Sequence, residues 1–439
     1  MRSLFGWLSF FNYPNPILLS TMTTRSLIVP TVAAIAVWAL NQASAQPQQS
    51  LSARDLIRQG DALMQEARNT LSHDFDAAEE AYRRALAIDE KNPEALVGMA
   101  WVSNSNHDFP AGKVWAQKAL AEDPRALEAY ALMGDGAVEL GDYEEAFDHF
   151  QAALDIRGDL STYSRAAHLL WLNGDDDQAH TLMRQAIKSG GPHLENVAWC
   201  RAELAMMLLK VNDLPHARRE AEAAVKLAPQ NPRALIARGR VYQADEKYEK
   251  AIESFQQSAA ITPTHDALAP LAELFLQTGE TEKAKAQIEG VVKFHLPGAH
   301  HHGHEGGHHH HHHDHGHHHE ASSQLALFLA DHQQSLNLAT EQGEAAYKAF
   351  PNLHAADSLA WCYFQQGKLS EAQRYSQLAL RLGTSEPLFH FHAGMIEKGL
   401  GNEAAARKHL SHALTLSPSF HPRHAPAARV ILSKMASKS

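Results

Sequence analysis

Histidine is concentrated in one internal stretch of the chain, and its imidazole side chains are the groups there that could bind a metal. Of the 31 histidines, 14 lie between residues 300 and 319, interrupted by glycine, aspartate and glutamate. Neutral imidazole is the commonest protein ligand for Zn²⁺ and also suits Ni²⁺ and Cu²⁺. The stretch therefore predicts overlapping sites for a divalent transition metal, with Zn²⁺, Ni²⁺, Cu²⁺ and Co²⁺ as candidates. The predicted metal ligands are His300, His301, His302, His304, His308, His309, His310, His311, His312, His313, Asp314, His315, His317, His318 and His319.

The same stretch contains His304-Glu305-Gly306-Gly307-His308, which matches the HExxH pattern of zinc proteases. That pattern works when a helix brings both histidines to one face and leaves the glutamate to act as a base. The two middle residues here are glycines, and almost no apolar residue surrounds them, so we expect no helix. We interpret the match as a product of the composition, and we predict no catalytic residue and no enzymatic activity.

Two interpretations of the histidine stretch remain open: a physiological metal site, or a permissive loop that binds metal only in vitro. No cofactor is required under either one, and binding should fade below about pH 6 because it needs neutral imidazole. A second, weaker group of histidines lies near the C-terminal end, where we favour solvated or packed side chains over metal ligands. Its members are His390, His392, His409, His412, His421 and His424.

The overall composition excludes one class of partner. The formal net charge is −11 with neutral histidine, and lysine and arginine form no cluster. A nucleic-acid-binding surface needs such a cluster, so we predict no nucleic-acid partner. Cys200 and Cys362 lie far apart, and we expect both to be small buried residues rather than a disulfide.

Residues 1–45 have the features of a secretory signal peptide. They contain no acidic residue, and Arg25 precedes an apolar run of 14 residues, Leu27 to Leu40. That run is shorter than the roughly 20 residues of a spanning helix, and Ala43-Ser44-Ala45 fits a cleavage site. We predict an exported protein, periplasmic or secreted, with no stable membrane insertion after cleavage. An uncleaved N-terminal anchor is the alternative, and Met22 is an alternative start.

From about residue 53 the sequence repeats with a period close to 34 residues. The best copies are 127–158, 232–263 and 387–418, and each one predicts two amphipathic helices with a tight turn between them. Weaker copies begin near Pro93, Leu160, Ala198, His265, Glu320 and Leu353, after an irregular first copy with a lengthened first helix or turn.

Small residues recur at fixed places in the best copies, where two antiparallel helices must approach closely. The first helix carries Gly134, Gly239 and Gly394, and the second carries Ala146, Ala251 and Ala406, followed by Ala153, Ser258 and Ala413. The large residues of the second helix are expected to fill the space between helix pairs; they are Phe150, Phe255 and Leu410.

This pattern resembles the tetratricopeptide repeat, and the resemblance covers nearly everything from 53 to 418. It implies an all-α fold, a tetratricopeptide (TPR) solenoid in which helix-turn-helix repeats form a right-handed superhelix. Nine complete or near-complete repeats follow the irregular first one. A last helix starting at Pro426 is expected to cap the final repeat, as solenoids require, with an apolar face that includes Val430, Ile431 and Leu432.

These assignments divide the chain into six segments. They are a signal peptide (1–45), a short linker (46–52), the N-terminal part of the array (53–295), a His-rich disordered loop (296–321), the C-terminal part of the array (322–418) and a C-terminal cap or tail (419–439).

The resemblance implies that the first helices line a concave groove, which binds a protein or peptide. By repeat position, the groove-facing residues are Trp101, Asp135, His168, Trp171, Trp199, Met206 and Arg240. The tryptophans would suit apolar side chains of a partner, since buried aromatic residues anchor interfaces. The alternative is that some of them pack inside the array.

The C-terminal part has a more specific resemblance. Segments 325–332, 356–372, 381–396 and 417–432 resemble exported bacterial tetratricopeptide proteins, some of which carry a His-rich insertion. That resemblance implies no particular activity. We predict an exported scaffold that binds a protein partner through its groove and divalent metal through its His-rich loop. The alternative is a periplasmic protein that buffers or delivers Zn²⁺, Ni²⁺ or Cu²⁺ and uses the array for docking.

Overall fold

A computed structural model describes residues 51–191, 193–295 and 322–437. Within these ranges the chain is entirely helical, without strands. Its helices are α1 Ala53–Thr70, α2 Asp76–Ile88, α3 Pro93–Ser105, α4 Phe109–Glu122, α5 Leu127–Glu139, α6 Tyr143–Ile156, α7 Leu160–Leu172, α8 Asp176–Ser189, α9 Leu194–Lys210, α10 Leu214–Leu227, α11 Pro232–Ala244, α12 Tyr248–Ile261, α13 His265–Gln277, α14 Thr281–Phe294, α15 Ser323–Asp331, α16 Leu336–Ala349, α17 Leu353–Gln365, α18 Leu369–Ala379, α19 Pro387–Gly399, α20 Glu403–Leu416 and α21 His424–Ala436.

The first twenty of these helices form ten antiparallel pairs, which we number repeats 1 to 10 and whose members we call helix A and helix B. The predicted repeats are confirmed, including the lengthened first helix: α1 has 18 residues, whereas helix A of repeat 2 has 13. Asparagine and proline begin several A helices. Asn92, for example, accepts a hydrogen bond from the Ala95 amide, and Pro93 follows it. This side chain supplies an acceptor to an amide that has no partner within the helix.

The turn between helix A and helix B needs a residue in the left-handed region of backbone space. Glycine supplies it in five repeats, for example Gly141 with φ 78° and Gly367 with φ 75°. Four other repeats use a non-glycine residue at the same place: His107 (φ 59°), Asn212 (φ 61°), Glu246 (φ 57°) and Gln333 (φ 50°). Glycine adopts this conformation without strain, whereas a side chain costs about 1–2 kcal/mol.

Close packing within each pair depends on the recurrent glycines, as the sequence predicts. A Cβ atom added at Gly134 would lie 2.3 Å from the Phe150 ring, and one added at Gly394 would lie 2.7 Å from Leu410. The large residues expected to fill the space between pairs also make close contacts within their own pair. Each one presses directly on the glycine of its own pair, because the missing side chain leaves a pocket for it.

Consecutive turns of the superhelix touch one another. The turn inside repeat 3 meets the connection between repeats 8 and 9, where the Leu353 amide donates to the Tyr143 hydroxyl at 2.9 Å. The turn inside repeat 4 meets the next connection, where the Ser385 hydroxyl donates to Asp176 at 2.7 Å. Thr262, between repeats 6 and 7, donates to the Thr70 carbonyl at 2.6 Å. These three hydrogen bonds join early repeats to later ones across successive turns of the superhelix.

The last helix, α21, packs on repeat 10 and begins two residues before the predicted start. It buries Ala425, Ala428 and Met435, and Ala428 belongs to the same apolar cluster as Leu410. Ile431 and Leu432 pack partly against this cluster. The prediction for Val430 is wrong: it is 51% exposed. The buried positions recur every three or four residues, and Val430 falls on the opposite side of that stripe.

Both cysteines are buried free thiols, as expected. Among the described residues, the helices include none that is both long and apolar enough to cross a membrane.

Candidate functional site

The His-rich stretch that carries the metal prediction lies outside the described residues. The last described helix before it, α14, ends at Phe294, and α15 begins after it at Ser323. The metal ligands predicted between 300 and 319 therefore stay a prediction.

The predicted groove residues separate into two sets. Trp101, Met206 and Arg240 line a central cavity of about 220 Å³. The other four pack inside the array, as the alternative interpretation allowed for some of them. Asp135 accepts from the Arg165 guanidinium at 2.8 Å, with both side chains buried. The prediction that Asp135 contacts a partner directly is wrong, because its carboxylate is already enclosed in this ion pair.

His168, Trp171 and Trp199 are also buried in the array. The His168 and Trp171 rings are 5.5 Å apart, and burial lowers the pKa of His168 to about 3. Trp171 and Trp199 are only 7% and 3% exposed. These three side chains pack in the interior of the array, so they present no exposed surface to a partner. Trp101 is likewise only 2% exposed, although its edge reaches the cavity.

The cavity is lined mainly by residues of A helices from several repeats. One part of its wall is apolar and includes Trp101, Phe109, Met206 and Phe350. Phe109 and Phe350 make an edge-to-face contact at 5.5 Å across the two turns. An apolar wall with a few convergent polar groups is typical of a ligand-binding pocket.

Charged groups line the rest of the cavity. Burial, and then the neighbouring Arg233, lowers the pKa of the Arg68 guanidinium to about 9, so it remains cationic at pH 7. Burial raises the pKa of Glu203 to about 8, although Arg233 opposes the shift, so this carboxyl is protonated and neutral at pH 7. Arg240, Glu139 and Asp266 also lie in the wall.

A second cluster of titratable groups joins the chain after α20 to repeats 7 and 8. We call it the C-terminal clasp, and it consists of Glu273, Asp331, His421, Arg423 and His424. His421 Nε2 lies 3.0 Å from Glu273, and His424 Nε2 lies 3.0 Å from Asp331. One ligand atom from each of Asp331, His421 and His424 lies within 4.8 Å of the others, so the clasp is also a candidate metal centre.

The hydrogen bonds of the clasp argue against a bound metal. His421 Nδ1 accepts from the backbone amides of Arg423 and His424 at 3.3 Å, so its Nε2 carries the hydrogen and donates to Glu273. Coordination through Nε2 would require the hydrogen on Nδ1 and would break both bonds. The Arg423 guanidinium lies 3.7 Å from Glu273 and 3.8 Å from Asp331, where a cation would otherwise be needed. We interpret the clasp as a structural contact in which Arg423 offsets part of the negative charge of the two carboxylates.

Two pKa shifts are consistent with this interpretation. Burial lowers the pKa of His424 to about 4, which leaves its ring neutral at pH 7 and able to donate to Asp331 through Nε2–H. Burial opposes ionisation of Glu273, but His421, Arg423 and Arg240 together outweigh it and hold the pKa of that carboxyl at about 2. Trp361 donates a further hydrogen bond to Asp331 at 2.7 Å.

The six C-terminal histidines therefore form two groups. His392, His421 and His424 lie in or beside the clasp, where His392 is stacked on Trp361 at 4.1 Å. His390, His409 and His412 meet on the surface of repeat 10, with 3.2 Å between His390 Nδ1 and His409 Nδ1. Burial, and then His412 and His409, lowers the pKa of His390 to about 4. Most of the six are packed, as the favoured interpretation holds, and the sequence missed their carboxylate partners.

The helix pairs form an all-helical superhelix built from repeats, and the cavity lies on its inner side. Profiles of the tetratricopeptide repeat match residues 127–159 and 202–266. The chain thus contains tetratricopeptide repeats, and it has the fold of a tetratricopeptide solenoid.

Similarity to known proteins is partial. A BBSome complex member BBS4 homolog of Drosophila melanogaster is 26% identical over 163 residues, 35% of this chain, and the match spans only 34% of that relative. The solved structure of YrrB, a TPR protein with an unusual peptide-binding site, is 23% identical and covers 46% of this chain and 99% of its own, with a TM-score of 0.31. The solved structure of pilF from Pseudomonas aeruginosa is 22% identical, and the match covers 48% of this chain and 92% of pilF, with a TM-score of 0.36.

Proposed function

We propose that this chain is an exported scaffold that binds a protein partner on the inner side of its superhelix. The observation that carries the proposal is the central cavity, which A-helix residues of several repeats line together. Tetratricopeptide repeat proteins generally bind protein partners. Trp101, Met206 and Arg240 reach this cavity, whereas the other predicted groove residues are enclosed by the array.

Site-specific photo-crosslinking tests the location of partner binding. We would place a photoreactive phenylalanine analogue at position 206, in the cavity wall, and at position 114 as a control. Val114 is 51% exposed on helix B of repeat 2, outside the cavity. We expect a defined crosslinked protein from position 206 and none of the same mass from position 114. Crosslinking from position 114 alone would place the partner on the outer surface and refute the groove proposal.

The His-rich stretch adds a second activity to the proposal, reversible binding of a divalent metal. The composition between 300 and 319 supports it, since six consecutive histidines offer several ligand sets. The test is equilibrium titration of the chain, with and without 300–320, using Zn²⁺, Ni²⁺, Cu²⁺ and Co²⁺ at pH 7.5 and 5.5. Selective binding tighter than micromolar that disappears on deletion would favour metal buffering or delivery as the main function. Weak or unselective binding would leave the scaffold role alone.

Export is proposed from the features of residues 1–45, which lie outside the described residues. The test is the N-terminal sequence of the mature protein, together with fractionation of the cells that produce it. A mature chain beginning at Gln46 in the exported fraction would support the proposal, and an intact N-terminus in the membrane fraction would support the anchor instead.

A further inference from the structure

Arg68 occupies an unusual position for a cation. It lies near the end of α1 and is one of the residues that line the central cavity. Both of its terminal nitrogens, Nη1 and Nη2, are buried and have no hydrogen-bond partner among the described residues. A buried charged group normally has a partner, because an unpaired one loses its hydration without compensation. These two nitrogens therefore call for an acceptor.

The protein places further positive charge beside Arg68 instead of a negatively charged partner. The charge of Arg233 opposes that of Arg68, as does that of Arg165. The nearby carboxylate, Asp135, is already bound to Arg165 at 2.8 Å. Glu203 is neutral at pH 7 because burial raises its pKa to about 8. Anionic oxygens from outside the chain would satisfy both nitrogens of the planar fork at once.

The surroundings of Arg68 hold the guanidinium in place and limit the size of a ligand. Its carbon atom Cζ lies 5.7 Å from the centre of the Trp199 ring, which is a cation–π distance. The cavity of about 220 Å³ has room for a small molecule. Met206 and Phe350 offer an apolar surface to the rest of such a molecule.

We propose that the central cavity is a binding site for a small organic anion, whose carboxylate or phosphate group is held by Arg68 and whose apolar body lies against Met206 and Phe350. The site goes beyond the scaffold role and does not depend on a protein partner. Loss of two charge-assisted hydrogen bonds should weaken binding by roughly 10- to 100-fold or more.

The test measures thermal unfolding and binding isotherms of the full chain with defined probes at constant ionic strength in chloride. The probes are 4-phenylbutyrate, inorganic phosphate and the neutral control 4-phenyl-1-butanol. Arg68→Met removes the fork, and Arg58→Met is the matched control on the same helix. The Arg58 side chain is 48% exposed and paired with Asp55 at 2.5 Å, away from the cavity.

We expect 4-phenylbutyrate, phosphate or both to stabilise the wild-type chain and Arg58→Met in a saturable way, and Arg68→Met to lose the effect. Response to one anion alone identifies the head group as carboxylate or phosphate. Without anion, Arg68→Met should melt at the same temperature as the wild type or higher, because it removes an uncompensated buried charge.

Three outcomes would overturn the proposal. The first is that neither anion stabilises the wild-type chain. The second is that the neutral alcohol binds as well as 4-phenylbutyrate. The third is that Arg68→Met melts at a lower temperature yet keeps the anion response, which would make Arg68 a structural cation.

Discussion

Removal of one hydroxyl group should loosen the contact between successive turns of the superhelix. In Tyr143→Phe the ring stays in place, since Tyr143 is only 8% exposed, and only the hydroxyl is lost. That hydroxyl accepts from the Leu353 amide at 2.9 Å, and Leu353 is 0% exposed. The amide is the first of α17 and has no acceptor within its own helix. It would therefore become a buried donor without a partner.

An unsatisfied buried group costs about 1–3 kcal/mol, which corresponds to a roughly 5- to 150-fold change in a local opening equilibrium. Hydrogen exchange measured by mass spectrometry on peptides covering 351–357 should show this acceleration. Tyr130→Phe is the control, because Tyr130 is half-buried and its hydroxyl forms no hydrogen bond within the described residues. If peptides from 351–357 exchange at the wild-type rate in Tyr143→Phe, the two turns do not touch in solution and the closed superhelix is wrong.

Three further predictions concern single positions, with urea unfolding as the measurement. Gly134→Ala should cost about 1–3 kcal/mol, because the new Cβ would lie 2.3 Å from Phe150; unchanged stability would show that the helices move apart freely. Glu246→Gly should stabilise by about 0.5–1 kcal/mol, since relief of left-handed strain exceeds the entropy cost of glycine; destabilisation would contradict the positive φ of 57°. Glu203→Gln should raise the free energy of unfolding above that of the wild type, and this gain should be larger at pH 8.5 than at pH 5, by at most about 5 kcal/mol. The folded pKa of about 8 lies above the unfolded one, so wild-type stability falls as pH rises through this window, and equal effects at both pH values would refute the assignment.

The sequence predicted the repeats well because their signals are local. The A helices beginning at Pro93, Leu160, His265 and Leu353 start at the predicted residues, since proline, asparagine caps and small residues act within one repeat. The start near Ala198 was less accurate: α9 begins at Leu194 and has 17 residues. Its extra first turn carries no proline or other strong start signal.

The closure of the superhelix could not be predicted from the repeat pattern. The residues that join its turns, such as Tyr143 and Leu353, are 210 positions apart, and the repeat period does not indicate which turns meet. The sequence identified Trp101, Met206 and Arg240 of the cavity wall, but it missed Arg68 and the clasp for the same reason. Arg68 reads as an ordinary surface residue of an amphipathic helix, and the partners of His421 and His424 come from repeats 7 and 8. Only the distances between the repeats bring these groups together.

The contacts between successive turns also give the molecule a distinct mechanical character. An open helical array behaves as a soft spring, because pulling on its ends only rotates each pair slightly against the next. Here Tyr143 binds the amide of Leu353, Asp176 binds Ser385 and Thr70 binds Thr262, so the coils are fastened to one another along the direction of extension. Under tension the chain should resist stiffly until these links rupture and only then become compliant, with a discrete force step in place of a smooth elastic rise.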